Sequence, residues 1–128
     1  MEMISMMIGN DIVKVPRMQG LCKNQRLVNR IFTKGEQEYI FDVTSTQLQL
    51  ERMAGKLALK EAVAKAFGVG IGKKLNWLDI ETAHQNDGKP CINQTKKIKM
   101  LLQKVNLSNI DVSVSHMGDY ATAVCLIF

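Results

Sequence analysis

Met53-Ala54-Gly55-Lys56-Leu57-Ala58-Leu59-Lys60-Glu61-Ala62-Val63-Ala64-Lys65-Ala66-Phe67-Gly68-Val69-Gly70-Ile71-Gly72 is the stretch on which the reading of this chain turns. Leu50, Met53, Ala54, Leu57, Ala58, Ala62 and Phe67 recur at helical spacing. Thr44 or Ser45 supplies an N-cap, and Gly68 a C′ residue. The spacing predicts one long helix from about Ser45 to Phe67, running straight into a Gly-x-Gly-x-Gly loop. Glu61 and Lys65, four apart, share a face of that helix.

Upstream, Ile4 to Val13 is apolar and β-prone and reads as a strand carrying Ile8-Gly9-Asn10-Asp11-Ile12-Val13. Pro16 suits the first turn of a short helix that reaches about Cys22. A second helix covers about Gln25 to Phe32, and Thr33-Lys34-Gly35-Glu36 has capping-box spacing for a third. Downstream, Asn76 to Ala83 alternates as a strand. Asn86-Asp87-Gly88-Lys89-Pro90 is a turn, and Cys91 to Asn93 is the returning strand. Lys96 to Lys104 is amphipathic helix. Ile110 to Ser115 and Tyr120 to Phe128 read as antiparallel strands joined by a turn at His116-Met117-Gly118-Asp119. Strands and helices segregated in this order predict an α+β fold, with antiparallel strands packed on one long helix and shorter ones.

The 128 residues predict a single domain, 1–128, and the 46% hydrophobic content supports a real core. One Trp, two Tyr and four Phe make that core mostly aliphatic. No apolar run approaches the roughly 20 residues of a membrane span, and the N-terminus lacks signal-peptide character. Cys22, Cys91 and Cys125 fall in no metal-ligand spacing and read as free thiols, so a cytoplasmic location is expected. Net charge is +5. Lys14, Arg17, Lys23, Arg26, Arg30 and Lys34 lie in a stretch without an acid, as do the five lysines between Gly88 and Ile110. Such runs are either solvated surface or a face for an acidic partner. Aromatic residues are too few and too scattered to stack bases, and no nucleic-acid motif is present.

Asp11 and Glu61 are carboxylates in apolar or basic company, and together with the lysines and the glycine loop they suggest a magnesium-bound phosphate ester. Each feature has a plainer reading when taken alone. Asp11 could cap the next helix, and Glu61 could pair with Lys65 on the surface. Gly68, Gly70 and Gly72 could form a loose connection, and His116 could be structural. Ser115 has no readable base-and-orienter set, which excludes a serine hydrolase.

Taken together, the segments resemble the holo-acyl-carrier-protein synthase family of 4′-phosphopantetheinyl transferases. The family's Gly-Ile-Gly-x-Asp-Ile is similar to Met7-Ile8-Gly9-Asn10-Asp11-Ile12. Its helix motif and Gly-Thr-Gly-Ile-Gly loop correspond to Ala54 to Gly72. Asp87-Gly88-Lys89-Pro90, Val112-Ser113-Val114-Ser115-His116 and Asp119-Tyr120-Ala121 match in order. The resemblance implies transfer of 4′-phosphopantetheine from coenzyme A to a serine of apo-acyl carrier protein, releasing 3′,5′-ADP. It implies Asp11 and Glu61 as Mg²⁺ ligands and Lys65, Lys56 and His116 on coenzyme A phosphates. The loop Gly68 to Gly72, with Gly70, would line the coenzyme A cleft, and Arg17 would meet the acidic carrier protein. A homotrimer with active sites at subunit interfaces is implied, and neither nucleic acid nor membrane as a partner. Glu61 or a water on the metal are both candidates for the base. Lys56 stands where the family has arginine, giving up bidentate geometry while keeping the charge. Leu59, Val69, Met7 and Asn10 are further departures.

Overall fold

Ser45 caps the longest helix, its side chain accepting from the Leu48 N–H at 3.2 Å, and Gly68 ends it in the left-handed conformation at φ +72°. This helix, α4 (Thr46–Phe67), is the axis of the fold. Its small residues Ala54, Ala58, Ala62 and Ala66 are buried, so the strands lie close against it. The predicted apolar stripe proves too narrow. Met53, Ala54, Gly55 and Lys56 are buried in succession, because α4 is covered on nearly all sides.

The computed structural model describes residues 5–128. Among the described residues five strands, β1 (Met7–Lys14), β2 (Glu81–His84), β3 (Pro90–Asn93), β4 (Ile110–Met117) and β5 (Tyr120–Ile127), form two antiparallel sheets. The larger has the order β1-β5-β4, and β2 pairs with β3. The shorter helices are α1 (Met18–Cys22), α2 (Gln25–Ile31), α3 (Lys34–Phe41) and α5 (Lys96–Val105). The α+β expectation holds. The part of the first strand expected from Ile4 begins outside the described residues. One core joins α4 to the inner face of the larger sheet through Val13, Val112, Ala121, Ala123, Cys125 and Ile127. Burial pushes the Cys125 thiol up to about 12, and all three cysteines are free. Among the described residues no helix is long and apolar enough to cross a membrane.

Two sequence expectations change. The segment from Asn76 is not extended: Trp77–Asp79 is a 3₁₀ turn. The Asp79 carboxylate accepts from the Asn76 N–H at 2.9 Å, a local hydrogen bond that competes with strand pairing. The strand starts only at Glu81. His116 lies in β4, paired with Ala121, rather than in the turn. The turn is the two residues Gly118-Asp119, with Gly118 at φ +57° in the first central position that a tight hairpin reserves for glycine.

Candidate active site at the two edges of the sheet

Gly9 is where strand and helix touch. A Cβ there would stand 2.1 Å from the Ala62 carbonyl oxygen and 2.4 Å from the Ala66 nitrogen, so β1 crosses α4 backbone to backbone. Asp11 is two residues further on, on the same face of the strand. It therefore comes down beside the helix turn that carries Glu61 and Lys65. Lys65 Nζ donates to Asp11 Oδ1 at 2.9 Å, with side-chain exposures of 54% and 15%. Asp11 does not cap a helix, and the surface Glu61–Lys65 ion pair does not form.

Glu61 makes no hydrogen bond or ion pair among the described residues. Burial, and then the charge of Asp11, push its carboxyl above the usual carboxylate range, while Lys65 opposes. Two carboxylates that repel each other, one half-buried and unpaired, suit a divalent cation. The Asp11 hydrogen bond and charge hold the Lys65 ammonium above its ordinary value. Past Phe67 the glycine loop begins. Gly68 and Gly72, at φ +72° and +153°, both need the freedom of glycine, and Gly72 N–H donates to the Leu75 carbonyl at 2.7 Å. A Cβ at Gly68, Gly70 or Gly72 would meet nothing within 4 Å, so the loop faces open space.

Lys56 and His116 belong elsewhere. The sequence groups them with Asp11 and Glu61, but the structure separates them. His116 Nε2 lies 3.0 Å from the Glu51 carbonyl oxygen. Its ring rests 3.1 Å from where a Gly55 Cβ would be, so Gly55 makes room for it. Glu51 precedes Glu61 by about 15 Å along the helix axis. Asp11 is on β1 and His116 on β4, the two edge strands of the larger sheet, roughly 10 Å apart across β5.

Around His116 and Lys56 the structure assembles a cationic cleft whose other members the sequence did not signal. Arg52, Lys56, His84 and Tyr39 line it, in two adjoining cavities of 60 and 370 Å³. The Arg52 guanidinium sits 4.1 Å from the Tyr39 ring centroid, and the Tyr39 and His84 rings are 4.3 Å apart. Arg52 Nη1 donates to the Tyr39 carbonyl and to Asp42, whereas its buried Nε has no partner among the described residues. Lys56 is buried rather than exposed, with Nζ donating to Thr82 Oγ1 at 2.8 Å. Burial drives its ammonium down to about 8, with Lys60 and Arg52 adding to the effect and Glu36 opposing. Burial, then Lys56 and Arg52, lowers His84.

Between the clusters lies a sealed ion pair. Lys60 and Glu36 meet at 2.8 Å, both side chains fully buried. Lys60 Nζ also donates to the carbonyls of Trp77 and Ile80 at 2.8 and 2.6 Å, which satisfies all three of its N–H groups. Glu36 Oε1 accepts from the Thr33 N–H at 2.8 Å, completing the predicted capping box. Its Oε2 accepts from the Thr82 N–H and hydroxyl at 2.9 and 2.6 Å. Burial lowers Lys60 while Glu36 opposes. The signal was present in the sequence, since Lys56 and Lys60 stand one turn apart in an otherwise apolar face. Arg17, Arg26 and Arg30 are exposed on the surface of the 3₁₀ turn Val15–Arg17 and α2, beside the exposed Leu27.

The sequence model of the 4′-phosphopantetheinyl transferase superfamily matches residues 7–125. The holo-acyl-carrier-protein synthase of Protochlamydia amoebophila is 40% identical over 91% of this chain and 92% of its own length. That of Bacillus pumilus is 41% identical over 94% and 93%. Among solved structures, the Helicobacter pylori holo-acyl-carrier-protein synthase in complex with coenzyme A superposes with a TM-score of 0.80 at 31% identity, covering 95% of this chain and 100% of that one. The Bacillus anthracis synthase in complex with coenzyme A (3′,5′-ADP) gives 0.77 at 30% identity, with 94% of each chain covered. Spanning nearly the whole chain, these matches show that it belongs to the holo-acyl-carrier-protein synthase family of the 4′-phosphopantetheinyl transferase superfamily, a family of enzymes.

Proposed function

We propose that the chain transfers 4′-phosphopantetheine from coenzyme A to a serine of an apo-acyl carrier protein, with Mg²⁺, releasing 3′,5′-ADP. The observation that carries this reading is the Asp11–Glu61 pair, repulsive and half-buried, set beside Lys65 at the mouth of the glycine loop. Asp11 and Glu61 would hold the cation, which when bound supplies positive charge to the diphosphate of coenzyme A. Lys65, already aimed into the site, stabilises charge that grows on phosphoryl oxygens during transfer. Little covalent participation by the protein is needed, because positioning and electrostatics do most of the work. Glu61 and a water on the cation are the two candidates to take the proton of the attacking serine. The open backbone of Gly68, Gly70 and Gly72 lets the nucleotide lie close.

Lys56, His116 and Arg52 are placed to receive the other phosphate of coenzyme A, but at the opposite edge of the sheet. A second copy resolves this: one copy supplies Asp11, Glu61 and Lys65, and its neighbour the cationic cleft. The outer face of the larger sheet supports such an assembly. Ile8 and Ile12 are 69% and 60% exposed, with Val124 and Tyr120 beside them, an apolar patch of the kind that seats another subunit. We assign the homotrimer to this face and the acidic carrier protein to the cationic surface around Arg17. The chain acts as one domain, and a cytoplasmic location suits its free thiols.

The test is direct. Incubated with apo-acyl carrier protein, coenzyme A and Mg²⁺, the protein should add the mass of one phosphopantetheine group to the carrier. Glu61→Gln should fold at least as stably, since it removes the repulsion from Asp11, and should lose about a hundredfold or more in kcat. A folded Glu61→Gln with normal turnover would remove Glu61 from the site.

A further inference from the structure

Where α4 ends and the glycine loop begins, α5 and the loop enclose a cavity of 520 Å³. Its floor is apolar: Phe67, Val69, Met100, Leu101 and Val105. Three cations, Lys74, Lys97 and Lys104, share the lining. Met100 is 54% exposed on that floor. None of the three lysines has an ion-pair partner among the described residues, and no acid occurs from Gly88 to Ile110. Lys97 is half-buried against the groove. The cavity meets a second one along the glycine loop, the two sharing Val69 and Lys74.

We infer that this groove binds an anionic amphiphile: an unbranched aliphatic chain ending in a carboxylate or phosphate. Its size is that of a small-molecule site, roughly 300–1,000 Å³, apolar with a few convergent polar groups. Those charged groups are all of one sign. A neutral chain would leave the ammonium groups without a counter-charge, and a bare polyanion would leave the floor wet. Only a ligand with an apolar body and an anionic end satisfies both parts. Such a ligand would touch Val69, one residue past the cap of α4, so its binding would be felt by the loop Gly68 to Gly72.

The experiment titrates isotope-labelled full-length protein with decanoate, decyl phosphate and decanol, each below its aggregation concentration, and follows backbone amide resonances. Decanoate or decyl phosphate should saturate one site, shifting Val69, Lys74, Met100 and Leu101, and the stronger of the two identifies the preferred anion. Decanol should bind roughly tenfold more weakly or worse. The double variant Lys97→Glu, Lys104→Glu should lose binding by a similar factor. So should Met100→Asp, whose site is exposed enough to spare the fold. Equal binding of decanol, unchanged binding by the variants, or shifts confined to the Ile8–Ile12 face would each overturn the assignment. An acidic amphipathic peptide that binds the groove while decanoate does not would also overturn it, giving the groove to a protein partner.

Discussion

At the β1 edge of the sheet, Asp11 and Glu61 leave a surplus of negative charge that Lys65 only partly offsets. At the β4 edge, Arg52 and Lys56 gather positive charge around one tyrosine and two imidazoles, with no carboxylate in the cleft wall except Glu81. The first cluster has what a cation needs, and the second what an anion needs. Both stand on α4, yet they lie at opposite edges of the sheet. On the proposed function the difference makes the two clusters half-sites of a single chain, each with unspent charge, and the sealed Lys60–Glu36 pair between them is already complete.

That sealed pair allows the most severe test. Glu36→Ala should leave a charged lysine buried without its partner, at a cost of about 3–5 kcal/mol in denaturant unfolding. The double variant Glu36→Leu, Lys60→Met should recover most of this, since neither charge is then orphaned. No loss in the single variant would mean that the two half-sites are held apart by packing alone.

Next comes the close approach of β1 to α4. Gly9→Ala inserts a methyl 2.1 Å from the Ala62 carbonyl, so strand and helix must separate. Stability should fall by about 1–3 kcal/mol. kcat should drop with it because Asp11 moves, while KM for coenzyme A, which the proposed function ties in part to the β4 edge, should change less. An equal effect on both constants would blur the division into two clusters.

The smallest effect concerns Lys56. Its folded pKa of about 8 lies below the ordinary lysine value. Between about pH 8 and 10.5 the unfolded chain holds this proton and the native one does not, so this group makes stability rise with pH there. The effect on binding runs the other way. As pH passes 8 the cleft loses a positive charge, and KM for coenzyme A should increase several-fold between pH 7 and 9. Lys56→Arg should hold KM flat over that range, because arginine stays charged. An identical rise in the arginine form would show that Lys56 does not meet the anion.

Much of this architecture was legible in the chain. The helix from Ser45 to Phe67 declared itself through spacing, cap and terminal glycine, and the Asp11 strand, the Asp87 turn and the last hairpin followed from period and punctuation. What failed were cases where tertiary contacts overrode local pattern. Asn76 to Ala83 alternates like a strand, but Asp79 closes a turn on Asn76, and the carbonyls that flank the turn are claimed by Lys60. His116 reads as a turn residue because Gly118-Asp119 is near, but Gly55 makes room for its ring against α4. The Glu36–Lys60 bond joins residues far apart in sequence, one of which looked like only a helix cap. The resemblance implies Lys56 as a phosphate contact but not its burial against Thr82, since a lysine is rarely buried. Nothing in the order of residues says that Asp11 and His116 lie at opposite edges of one sheet; that follows only from the β1-β5-β4 arrangement.

The two-copy site is tested most directly by complementation. Glu61→Gln disables only the first half-site and His116→Ala only the second, so each protein alone should be inactive. Unfolded together and refolded as a mixture, they should regain phosphopantetheine transfer, because some neighbouring copies then pair an intact Glu61 with an intact His116. A refolded mixture no more active than either variant alone would contradict the account and return both clusters to a single chain.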